Sequence, residues 1–225
     1  MFFVAYQAIG DQRNGYGGRQ LAAAFDPATM TMDWVKEQTD WYGYSGTMVY
    51  KNYGAGQANL FVAGSIDSTY TSTNNEDWKL GVTRLTESGT TSTNGAFLIE
   101  AKSGGFDKHN EHPWINHMHI DDVSIPGEEW LFGSTEYNKN NRAGEEVYLW
   151  KVKLDASHNP DPAQLTCIQV EKGKIRDAGY IIALKPTLVG GKMHATWWDK
   201  DRRIYYFVFD FTLTTVDSQE LYREV

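Results

Sequence analysis

Apolar positions in this chain recur with a period of two, in runs too short for a helix. Met48 and Tyr50 alternate with Val49 and Lys51, Lys151 and Lys153 with Val152 and Leu154, and Thr212 and Thr214 with Phe211 and Leu213. Such alternation predicts strands with one face towards a core. Between the runs lie clusters of Gly, Asn, Asp, Ser and Thr, residues that favour turns. The stretches 26–30 and 40–43 each suit one short turn, and nothing sustains a 3.6-residue period over three turns.

The strands group into a hairpin that recurs along the chain. Its copies begin at Phe2, Leu60, Trp130 and Met193, roughly 60–70 residues apart. The second pairs 60–65 with 78–85 across a polar turn through Asn74 and Asn75, and the third pairs 130–134 with 147–154. The fourth pairs 193–198 with 204–209 across the short turn 199–202. Further strands are expected before the hairpins at 46–51, 114–120 and 180–185, and after them at 31–36, 95–100, 165–170 and 219–223. Four antiparallel strands per repeat and about four repeats predict a small all-β propeller, with a β-sandwich as the alternative. The first repeat lacks a leading strand, which keeps a homo-oligomer in play. At 225 residues the whole of 1–225 is expected to form one all-β repeat domain.

Composition narrows the function classes. Aromatic residues make up 14 % of the chain, with 8 Trp and 13 Tyr, a supply of flat apolar rings with polar tips that suits both cores and binding surfaces. A net charge of −8 argues against a nucleic-acid partner, because phosphate binding rests on Lys and Arg. The single cysteine, Cys167, excludes an intramolecular disulfide and reads as a small buried hydrophobe. No apolar run is long enough for a membrane span. The first residues lack a basic segment followed by a long apolar run, so the expected location is the cytoplasm, or outside the cell without a classical signal peptide.

The densest local chemistry is the segment 107–122, which holds four of the six histidines. If 115–123 is a strand, His117, His119 and Asp121 project from one face, and imidazole with carboxylate is a ligand set for a divalent metal. Asp122, on the other face, is expected to cap the turn towards Pro126 and Gly127. In a metal-free reading the same side chains hydrogen-bond around a polar axis.

A second pattern is aromatic, amide, acidic and guanidinium side chains gathered near turns. Trp78 with Asn75 and Asp77 forms one group, Trp198 with Arg202 another, and Trp41, Tyr42 and Tyr44 with Asp40 a third. Rings stack on the C–H faces of sugars while the polar groups take hydroxyls, and one weak site per repeat would add up by avidity. Large aromatics also fill the space between propeller blades. The doublets Glu128-Glu129, Glu145-Glu146 and Asp121-Asp122 point to opposite faces if they lie on strands, so they read as solvated charge rather than catalytic pairs. There is no G-x-S-x-G elbow and no phosphate loop.

In strand pattern and composition the chain resembles soluble propeller lectins, without a diagnostic motif. The leading expectation is a non-enzymatic module binding a glycan or other small ligand through Trp78, Asn75, Asp77, Trp198 and Arg202. The alternatives are a metal-dependent hydrolase or lyase using His117, His119 and Asp121, and a protein-interaction scaffold. Fold analogy does not decide between them.

Overall fold

A computed structural model of the chain describes residues 2–8, 19–42, 45–54, 57–66, 79–86, 88, 112–139, 142–169, 187–189, 192–198 and 203–223. Among these residues there are fourteen strands and no helix, hence none long and apolar enough to cross a membrane. The chain divides into two compact units, Met1–His109 and Asn110–Val225.

The first unit holds β1 (Phe2–Ala8), β2 (Arg19–Phe25) and β3 (Met32–Tyr42) in one sheet, and β4 (Ser45–Asn52), β5 (Ala58–Ile66) and β6 (Lys79–Thr86) in a second. The second unit holds β7 (His112–Asp121), β8 (Trp130–Lys139), β9 (Arg142–Leu154) and β10 (Pro160–Gln169), then β11 (Thr187–Val189), β12 (Lys192–Trp198), β13 (Arg203–Phe209) and β14 (Thr215–Arg223). Each sheet is a meander whose strands lie in chain order and pair antiparallel with their predecessors. The expected four-strand repeat is complete in both sheets of the second unit. In the first unit three strands of each sheet are described; the expected strand at 95–100 lies outside the described residues, as does the expected one at 180–185.

Period-two patterning explains the packing within each unit. In β5 and β6, Leu60 pairs with Leu85 and Val62 with Thr83. Leu60, Val62 and Leu85 pack with Ala22 of β2, joined by Trp34 and Met48. Alanine at 22, 23 and 24 keeps this part of β2 slim and wholly buried. In the second unit Trp130, Phe132 and Leu149 form one cluster with Met193, Phe207, Phe209 and Leu213. Burying each such large side chain is worth about 1.5–3 kcal/mol. The opposite face of the β7–β10 sheet is buried as well, through Leu131, Trp150 and Val152. There the wholly buried Trp150 lies over Gly133, its partner in the ladder.

The turn that follows the recurring hairpin is one device used repeatedly. Asp155 Oδ1 accepts from the amides of Ser157 and Asn159 (both 2.8 Å), and Asp210 Oδ1 from those of Thr212 and Thr214 (both 2.9 Å). Each aspartate amide donates to the carbonyl four residues on, and the residue before that carbonyl is left-handed: His158 at φ 62° and Leu213 at φ 67°. The turn after β2 is one residue longer, with Asp26 Oδ1 accepting from Ala28 (2.7 Å) and Met30 at φ 56°. Short polar side chains that hydrogen-bond their own backbone favour such turns. Two local expectations change accordingly. Residues 211–214 form this turn rather than a strand, the alternation of Phe211 and Leu213 reflecting burial of a loop. Residues 40–42 continue β3 instead of turning.

Candidate functional site

The histidine-bearing strand is β7. A register shift between Ile115 and His117 marks a bulge, beyond which His117 pairs with Ser134, His119 with Phe132 and Asp121 with Trp130. These alternate rows share a face with Phe132 and Trp130 and so belong to the side of the sheet that packs on β12 and β13. His119 is half-buried, Asp121 is 2 % exposed, and the His117 side chain lies outside the described residues. Asp121 works as a turn cap: its Oδ1 accepts from the amides of Val123 and Ser124, both at 3.2 Å. These bonds fall to Asp121 where the sequence pattern pointed to Asp122, which is exposed. Asp121 Oδ2 and Ser124 Oγ are buried without a hydrogen-bond partner. Among the described residues no group of three or more His, Cys, Asp and Glu is placed to hold a metal ion.

The expected sugar-binding residues Asn75, Asp77 and Trp78 precede β6 in sequence, and Arg202 precedes β13; all four lie outside the described residues. Trp198 ends β12, where its backbone pairs with Ile204. Topologically these positions are equivalent, since both groups belong to the connection between second and third strands of a sheet.

At the opposite end of the β7–β10 sheet a cluster not anticipated from sequence joins the two sheets of the second unit. Lys151, only 6 % exposed, donates through Nζ to the carbonyl of Phe211. Its ammonium stands 3.9 Å from the Phe211 ring centroid and 4.8 Å from that of Trp130, so two aromatic faces stabilise the cation. Phe211 meets Trp130 edge-on at 5.3 Å. Burial still lowers the Lys151 pKa, against the opposing pull of Asp210 and Glu128. Beside it Glu128 accepts from Lys153 Nζ and from Trp130 Nε1 (2.9 Å), bonds that hold its carboxyl below the usual range. Glu129 pairs with His158 Nδ1 at 2.9 Å. The Glu128-Glu129 doublet is therefore engaged by turn and strand partners rather than freely solvated. The polar groups named in this cluster each have a partner, so together they clamp the two sheets of the second unit.

The two faces of the β11–β14 sheet differ sharply. Met193, Phe207 and Phe209 occupy one face and enter the core. On the other, register rows join Thr187, His194, Val208 and Asp217, and next to them Thr196 and Tyr206. His194 Nδ1 and Tyr206 Oη hydrogen-bond, with ring centroids 5.8 Å apart. Thr196 and Asp217 are exposed, and Lys192, one row further along β12, is exposed too.

No family model and no curated protein matches this chain.

The sequence carried a signal for the His194–Tyr206 pair. Once 193–198 and 204–209 are read as a hairpin across a four-residue turn, His194, Thr196 and Tyr206 share one parity and Met193, Phe207 and Phe209 the other. The clamp left no such trace, because Lys151 lies in β9 and Phe211 in the distant turn after β13.

Proposed function

We propose that the chain is a non-enzymatic glycan-binding module built as a small β-propeller, each meander sheet being one blade. The observation that carries this reading is a division between the two ends of the meanders. The turns that follow the recurring hairpins repeat one aspartate-capped design at Asp26, Asp155 and Asp210. The connections within those hairpins share no design: 9–18, 67–78, 140–141 and 199–202 differ in length and composition. A constant end with a variable opposite end is the usual arrangement of a scaffold that presents binding loops. Trp78, Asn75, Asp77 and Arg202 belong to that variable set and Trp198 ends the strand leading into it, with the chemistry to stack on sugar rings and bind their hydroxyls. Support for blades comes from face-to-face packing of consecutive sheets within each unit and from burial of both faces of the β7–β10 sheet.

The metal-dependent hydrolase or lyase remains the second reading, favoured by one observation: a buried, unpartnered Asp121 Oδ2 on a strand that also carries His117 and His119. A glycan-array screen with and without a chelator separates the two. Binding that survives the chelator supports the module as proposed; binding abolished by it brings a metal into recognition. Silence in both arms overturns the glycan reading.

A further inference from the structure

We infer that the connection between β7 and β8 is a calcium site, built from Asp121 Oδ2, Ser124 Oγ and main-chain carbonyls of the same turn. It is independent of glycan binding, since this connection lies at the end of the sheet opposite 140–141.

Three observations carry it. First, Asp121 is a buried carboxylate with one oxygen unused. It is 2 % exposed, its Oδ1 accepts from the amides of Val123 and Ser124 at 3.2 Å, and its Oδ2 has no hydrogen-bond partner. Among the described residues no lysine, arginine or histidine pairs with it. Buried charges are otherwise paired or bound to metals, because an isolated charge in an apolar interior is costly. Secondly, the other aspartate caps of the second unit differ in this respect. Asp155 is exposed and Asp210 half-buried, so water reaches their carboxylates. Thirdly, the turn supplies further oxygens. Ser124 Oγ is buried without a partner, and the carbonyls of Val123 and Ser124 accept no hydrogen bond among the described residues. Carboxylate, hydroxyl and carbonyl oxygens in a short irregular segment suit calcium, which accepts many oxygens in flexible geometry, better than magnesium or zinc. Asp122 and Val123 are exposed, which gives an ion and its waters a short route in. With one buried carboxylate the site belongs to the weak class, with a Kd on the order of 0.1–1 mM. Imidazole takes no part, which separates this site from the metal of the second reading.

The test uses terbium as a luminescent stand-in for calcium on the full chain, with Trp130, the ladder partner of Asp121, as the sensitising ring. Tryptophan excitation should give terbium emission that calcium displaces, and calcium should raise the urea midpoint of the native chain. Asp121→Asn, whose amide oxygen can still accept from Val123 and Ser124, should abolish both effects. Ser124→Ala leaves the two backbone bonds in place and should weaken calcium about tenfold or more, as loss of a metal's partner does. His119→Gln should change neither effect, and circular dichroism checks the fold of all three variants. Emission that persists unchanged in Asp121→Asn and Ser124→Ala marks binding by surface carboxylates and overturns the inference. So does a urea midpoint indifferent to calcium, the result expected if an internal water sits at Asp121 Oδ2. Loss of binding in His119→Gln overturns the oxygen ligand set in favour of the second reading's metal. The glycan-binding proposal stands or falls separately, on the array.

Discussion

Gly133 leaves no room for a methyl group. A Cβ built there would stand 2.8 Å from Trp150 Cη2, with Cζ2 and Cε2 nearer still, whereas carbon atoms in contact prefer 3.5–4.0 Å. Trp150 is wholly buried and pairs directly with Gly133, so the indole cannot simply swing into solvent. In Gly133→Ala the ring or the strand must shift by about 1 Å, and overpacking of this kind costs about 1–3 kcal/mol. Alanine at a strand position free of strain is instead better than glycine by about 0.5–1 kcal/mol. Trp150→Ala removes the obstruction at a cost of about 3–5 kcal/mol in lost packing. In that background Gly133→Ala should therefore be neutral or mildly stabilising. The double-mutant cycle should give a coupling of about 2–4 kcal/mol, well above the error of additivity for independent sites. Urea unfolding measures it, as shifts in midpoint at constant m. An equal cost for Gly133→Ala in both backgrounds would refute the packing of Trp150 over this position and with it the β8–β9 register.

Lys151→Met should lose the cation between Trp130 and Phe211 and leave the Phe211 carbonyl unbonded, a cost of about 1–3 kcal/mol. Because burial depresses the Lys151 pKa, the unfolded chain binds more protons between the depressed value and the ordinary 10.5. Stability of the native chain relative to Lys151→Met should thus rise with pH across that window, and a fall in urea midpoints measured over it would contradict the assignment. Asp210 has the opposite sign. Bonds from Thr212 and Thr214 hold its pKa below 3.8, so its contribution is complete above that value and lost as pH falls through the lowered one; Asp210→Ala should flatten the acid limb of the stability profile. Met30 is 71 % exposed and left-handed, so Met30→Gly should stabilise the chain by about 0.5–1 kcal/mol in the same unfolding assay. Burial pushes the Cys167 thiol up to about 12, so it should resist a thiol reagent at pH 8 until the chain unfolds; rapid labelling of the native chain would contradict this.

The strands were legible because their patterning is local. Leu60, Val62 and Leu85, or Met193, Phe207 and Phe209, show their shared faces in parity alone, and the register of the β12–β13 hairpin follows from its short turn. Parity failed where burial came from something other than a strand, as with Phe211 and Leu213 in a capped loop. At β7 the bulge lies before His117, so His117, His119 and Asp121 still fall in alternate rows. Asp121 shows a different limit. Its carboxylate is equally suited to ligating a metal or capping a turn, and only the 3.2 Å bonds to Val123 and Ser124 assign it the second task. Lys151 was opaque for a third reason: its partners Trp130 and Phe211 are distant in sequence, and a lysine in an alternating strand reads as solvent-facing.

The most direct test of the proposed function is to titrate one array-positive glycan against two sets of variants, by calorimetry. Trp78→Ala and Arg202→Ala alter the variable connections; Asp155→Ala alters the constant turn after β9, where it removes bonds to Ser157 and Asn159. The account predicts that affinity falls in the first set and is unchanged in Asp155→Ala, which should lose only stability, on the order of 1 kcal/mol. Affinity that falls in Asp155→Ala and persists in both connection variants would contradict it.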